Sequence, residues 1–139
     1  MSLLRRFLYL HALAWFLPGA LLAVYPRILQ VLLDQPDYVE GAWVRLFGAQ
    51  AVGLSLLMVL VGHRAEELWW WSWAFVLTTG AVAALFTLNA AFGVPPGGSS
   101  IIWWVLAAAS WLLGSSLLVG LQAAARDRPP HRHAPAPPR

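Results

Sequence analysis

The sequence predicts an all-α protein, a four-transmembrane-helix up-and-down bundle, on three observations. Of 139 residues, 60% are hydrophobic and only 11% charged, whereas a soluble domain carries about 25% charged residues. A chain with so little polar surface needs lipid as its solvent. The apolar residues gather into runs of spanning length, Phe7–Tyr25, Val44–Gly62, Leu68–Phe92 and Ile101–Ala123. About 20 residues rising ~1.5 Å each cross ~30 Å of hydrocarbon. The connections between the runs are short or carry helix breakers, so successive helices are expected to run antiparallel.

The first span follows Arg5-Arg6, as a signal peptide would. Its run is too long for a typical signal core and no Ala-x-Ala site follows, so a retained helix is expected, kinked at Pro18-Gly19. The outer loop, 26–43, holds the apolar stretch Ile28–Leu33, which is too short to span and is expected to lie in the outer interface or to cap the bundle. The second span ends at the short connection His63–Glu67. Glu66 and Glu67 open the third span, where carboxylates complement a helix N-terminus. Pro95-Pro96 and Gly97-Gly98 form the turn into the fourth span. Residues 1–125 make the membrane domain, and the basic, proline-rich residues 126–139 make a tail expected to be solvated and disordered. His131 and His133 in that tail could at most hold a metal ion loosely.

Arginines orient the bundle. Arg5, Arg6, Arg64, Arg126, Arg128, Arg132 and Arg139 fall on one side, and Arg27 and Arg45 on the other, with Asp34, Asp37 and Glu40. Cytoplasmic loops collect Lys and Arg, so both termini are expected in the cytoplasm and the chain in a plasma (inner) membrane. Trp69–Trp71 and Trp73 then mark the inner boundary, and Trp43, Trp103 and Trp104 the outer one, as interfacial anchors. The pI of about 10.2 comes mainly from the chain ends, which argues for orientation and against a nucleic-acid partner. All nine basic residues are arginine, a bias that suggests a GC-rich bacterial genome. With no cysteine, disulfides, thiolate metal sites and cysteine catalysis are excluded.

Along the second span Arg45, Gly48, Val52, Ser55, Val59 and Gly62 share one face. Small residues let backbones approach closely in lipid, so Gly48, Ser55 and Gly62 predict a packing seam. Gly80 and Ala84, with Thr87 and Ala91, predict another on the third span. Arg45, Gln50 and Asn89 are expected near the outer boundary. There Arg45 snorkels to headgroups or acidic loop residues, and Asn89 is the natural partner of the Gln50 amide.

The first span places Phe7, His11, Trp15, Pro18, Leu22 and Tyr25 on one face. The fourth places Trp104, Ala108, Trp111, Ser115 and Gln122 on one face. Antiparallel packing brings Trp15 and Trp111 to similar depths, with His11 and Ser115 in the inner half. These faces make either a filled aromatic core, the preferred reading, or a candidate ligand pocket of His11, Trp15, Trp111 and Ser115. His11 and His63 differ in depth by about 6–9 Å, poor geometry for axial haem ligation. No cofactor or metal is called for, and no catalytic motif is present.

Tyr25-Pro26 closing the first span, a polar loop, and Arg45-Leu46-Phe47-Gly48 running on to Gly53-Leu54 resemble the DoxX-like proteins and neighbouring families of small bacterial four-helix membrane proteins. The resemblance covers the first two spans and the four-span layout. It implies an up-and-down bundle in which Arg45 and Gly48 are structural positions, and a loose association with membrane-bound redox complexes. With no catalytic constellation, the expected function is a non-enzymatic accessory or scaffold subunit, with a membrane-protein partner or a second copy. The alternative is a binder or carrier of a lipophilic molecule (lipid, quinone or isoprenoid) between the first and fourth spans.

Overall fold

A computed structural model describes residues 1–28, 41–94 and 100–127. Most of the outer loop, the Pro95–Gly98 turn and the tail beyond Asp127 lie outside the described residues. Among the described residues helices are the only regular structure. Its elements are α1 (Ser2–Val24), α2 (Gly41–His63), α3 (Ala65–Leu68), a 3₁₀ turn (Trp69–Trp71), α4 (Ser72–Leu88), a π-helical turn (Asn89–Gly93) and α5 (Ile101–Arg126). α3 through the π turn form one continuous third span, Ala65–Gly93, and all four spans are long and apolar enough to cross a membrane. The protein is an all-α, multi-pass membrane bundle.

Local chemistry sets the helix ends. Tyr25 leaves the helical region at φ −128° and ψ 69° while its N–H still bonds to Leu21 O at 2.7 Å. The cause is Pro26, whose ring disfavours α geometry in the residue before it. Pro18, in contrast, sits inside α1, and the helix continues through it. The connection between the second and third spans is shorter than the expected five residues. Arg64 alone interrupts the helix at φ −108° and ψ 38°, and its carbonyl accepts the N–H groups of Glu67 and Leu68 at 3.0 and 2.9 Å. α2 is described from Gly41, and Arg45 stands four residues along it, exposed.

Met1 and Asp127, the first and last described residues, stand at one end of the bundle, where the Met1 ammonium donates to Asp127 Oδ2 at 3.1 Å. We call this the termini end. α1 packs most extensively on α2, and α4 on α5; α1 also packs on α5, whereas α2 and α4 touch little. The molecule is therefore a pair of helical hairpins joined at Arg64. One core holds them together: Leu4, Leu8 and Ala12 of α1, Met58 and Val61 of α2, Phe75 of α4, and Leu117, Leu121 and Ala124 of α5. All lie toward the termini end. Farther along, the buried residues are small, Gly19, Val44, Gly48 and Ala51 in the first hairpin and Ala83, Ala90 and Ala107 in the second.

Candidate functional site

The α1–α2 seam forms where neither backbone carries a side chain. Gly48 is buried, and a Cβ there would lie 2.6 Å from Gly19 O and 2.9 Å from Leu22 C. A Cβ on Gly19 would meet Ala51 Cβ at 2.9 Å. These are backbone and first-carbon contacts, which no rotamer change relieves. Ser55 is buried on the same side and donates to Val52 O at 2.7 Å, so its hydroxyl is satisfied within its own helix. Gly62 is buried where a Cβ would sit 3.0 Å from the Tyr9 ring. Gly48, Ser55 and Gly62 thus all lie in the first hairpin's interface.

The third-span residues lie elsewhere. A Cβ on Gly80 meets nothing within 4 Å, and Ala84 is exposed. Among the described residues neither position forms a close seam, because α4 turns Thr79 and Ala83 inward instead. Gln50 and Asn89 are both exposed. Asn89 opens the π turn, and its Oδ1 occupies the space a Cβ on Gly93 would need. The expected amide pair gives way to contact of Asn89 with its own helix end.

His11 is fully buried, and its Nε2 is joined to Thr79 Oγ1 by a 3.0 Å hydrogen bond. Its Nδ1 is buried without a hydrogen-bond partner among the described residues. Thr79 serves several helices at once. Its hydroxyl meets α1, while its Cγ2 lies 3.5 Å from where a Cβ on Gly114 of α5 would stand. Trp15 is half-buried against the core. Trp111 is 51% exposed and donates from Nε1 to Thr87 Oγ1 at 3.3 Å, and Ser115 is exposed. The four candidate pocket residues are therefore divided. His11 and Trp15 belong to the core, whereas Trp111 and Ser115 lie on the outside of the second hairpin. The reason is rotational: α5 turns Leu117, Gly120 and Leu121 toward α1, and a Cβ on Gly120 would stand 3.2 Å from Leu4 Cα.

Sequence reasoning missed Thr79, Gly19 and Gly120. Gly19 and Gly120 had a signal, since each is a small residue at the same depth as its partner on the adjoining span.

At the termini end, a cleft of about 500 Å³ is lined by Arg5, His63, Arg64, Glu66 and Glu67. Arg64 Nη2 donates to Glu67 Oε2 at 2.8 Å. Among the described residues no three His, Asp or Glu side chains group as metal ligands would. No family model, curated protein or solved structure matches the chain.

Proposed function

We propose that the protein is an accessory or scaffold subunit that associates with other membrane helices, either those of a second copy or those of a different protein. The observation that carries this reading is the uncovered placement of small and polar residues at membrane depth. A Cβ at Gly53 or Gly80 meets nothing within 4 Å, and Gln50, Ala84 and Ser115 are exposed beside lipid-facing leucines. Backbones that close to the surface let a further helix approach, and an amide such as Gln50 gains ~0.6–2 kcal/mol from a partner there. The carrier reading has less support, since Trp111 and Ser115 do not join His11 and Trp15 around one space. The resemblance of the first two spans to DoxX-like proteins agrees with a subunit of a membrane complex.

The chain has no cysteine, so engineered thiols report without background. Gly53→Cys and Gly80→Cys, oxidised in native membranes, are expected to form disulfide-linked species, with mass spectrometry naming the partner. Purely monomeric protein from both variants, and a monomer with nothing co-eluting in mild detergent, would count against association. We further infer that both termini face the cytoplasm of a plasma membrane, on the arginine distribution. Reporter fusions at Arg64 and Arg139 should read cytoplasmic; an external C-terminus overturns the orientation.

A further inference from the structure

α2 presents two unlike sides. Val44, Gly48, Ala51, Ser55 and Met58 are buried, and among the described residues α2 packs extensively on α1 alone. The opposite side is uncovered: Trp43, Leu46, Gln50, Gly53, Leu57 and Leu60 are all exposed. These residues recur at alternating steps of three and four, the ~3.5-residue repeat by which one helix lies along another. Two of them are out of place against lipid tails. Gln50 lies about 13 Å from Gly41 and about 20 Å from His63 along α2, at ~1.5 Å per residue, so its amide stands deep in the ~30 Å of hydrocarbon. No hydrogen bond joins that amide to another described residue, and an amide without a partner in an apolar medium is strongly unfavourable. Gly53, one turn on, leaves the backbone bare: a Cβ there would meet nothing within 4 Å.

We propose that two copies of this chain pair through this side of α2, about a two-fold axis along the membrane normal, with their Gln50 amides bonded to each other. This pairing rests on the association reading above and gives its partner. Hydrogen-bond complementarity selects a second copy. A carboxamide holds both donors and an acceptor, so two of them satisfy each other reciprocally. Copies inserted in one orientation hold Gln50 at one depth, and a two-fold axis sets each residue of the stripe against its own counterpart. A different protein would need a polar group at that same depth. Gly53, with no side chain, lets the two backbones approach closely one turn away. A polar residue at one position of an apolar repeat also fixes register, since sliding the helices strands both amides in lipid.

The full chain has no cysteine, so Gly53→Cys and Leu57→Cys are introduced singly and oxidised in native membranes. Val59→Cys, exposed but on another side of α2, is the control. Disulfide-linked pairs of this chain are expected from the first two and not from the third. In the Leu57→Cys chain, adding Gln50→Leu should lower the apparent association constant, read as the membranes are diluted with lipid, roughly tenfold, the worth of an interhelical amide pair. Gln50→Asn keeps an amide and should keep most of the linked fraction. Adding Gly53→Leu instead should abolish linkage and leave the monomer's thermal unfolding unchanged, since the new side chain enters open space. Unchanged linkage with Gln50→Leu overturns the amide pair, and equal linkage at Val59→Cys overturns the stripe. A Gly53→Cys chain linked to a different protein, or self-linkage from Gly80→Cys alone, overturns this pairing and leaves association standing. Monomer from every variant overturns both.

Discussion

Thr79 lies where three helices meet, with its hydroxyl on His11 of α1 and its methyl toward Gly114 of α5. Thr79→Val keeps the shape and removes the hydroxyl, leaving a buried imidazole with neither nitrogen satisfied. Hydrogen bonds between membrane helices average about 0.6 kcal/mol and reach about 1.7 kcal/mol. The second nitrogen has no partner among the described residues, so a loss near the upper figure is expected in reversible unfolding; a change below ~0.3 kcal/mol would remove the bond's importance. Glycines separate just as sharply. Gly48→Leu drives a side chain into the α1 backbone and should cost about 1–3 kcal/mol or more. Gly80→Leu enters open space and should stay within about 0.5 kcal/mol, while reducing any association through that face. Equal destabilisation by both variants would contradict the placement of these glycines. The sequence lists both as small residues at helical spacing, and nothing in their immediate neighbours distinguishes them. The distinction comes from the rotation of each helix about its axis, which apolar runs on every side leave undetermined.

The elements were largely legible, because length and hydropathy are properties of each segment alone. Every expected span is a helix here, and each helix extends a few residues past its apolar run into the interface. The internal structure of the third span was not legible. It begins as one α turn, tightens to 3₁₀ at Trp69–Trp71, and relaxes to a π turn at Asn89–Gly93. Hydropathy carries no record of hydrogen-bond register. The π turn does have an identifiable local fit: Asn89 Oδ1 fills the space beside Gly93 that any other residue's Cβ would take. Gly93→Ala should therefore destabilise the far end of this span by about 1–3 kcal/mol through overpacking. Asn89→Ala in the same chain should relieve most of that loss, giving a coupling of at least ~0.5 kcal/mol in a double-mutant cycle. Additive effects of the two changes would show that the side chain and the glycine do not share this space.

For the whole molecule, the antiparallel order followed from short connections, but the strength of each contact did not. By residue count the aromatic faces of the first and fourth spans match in depth, and the two helices do pack. They pack through Leu4, Leu8, Leu117 and Leu121, with Trp111 rotated outward. Depth is fixed by counting residues, whereas facing is fixed by what every other helix presents. A single residue, Arg64, joins α2 to the third span, yet α2 and α4 touch little. The covalent link and the packing thus fall in different places. Each hairpin closes on itself, and the hairpins recognise each other through the leucine core and the His11–Thr79 bond. Two polypeptides, one ending at His63 and one beginning at Ala65, should accordingly find each other in a bilayer and co-purify as a pair. Adding Gly48→Leu to the first piece should disrupt its own hairpin, whereas Thr79→Val in the second should loosen only the reunion. Pieces that never co-purify would mean that the peptide bond at Arg64 does the joining. If they do, the protein is a duet of hairpins, and its halves could be made, inserted and exchanged separately.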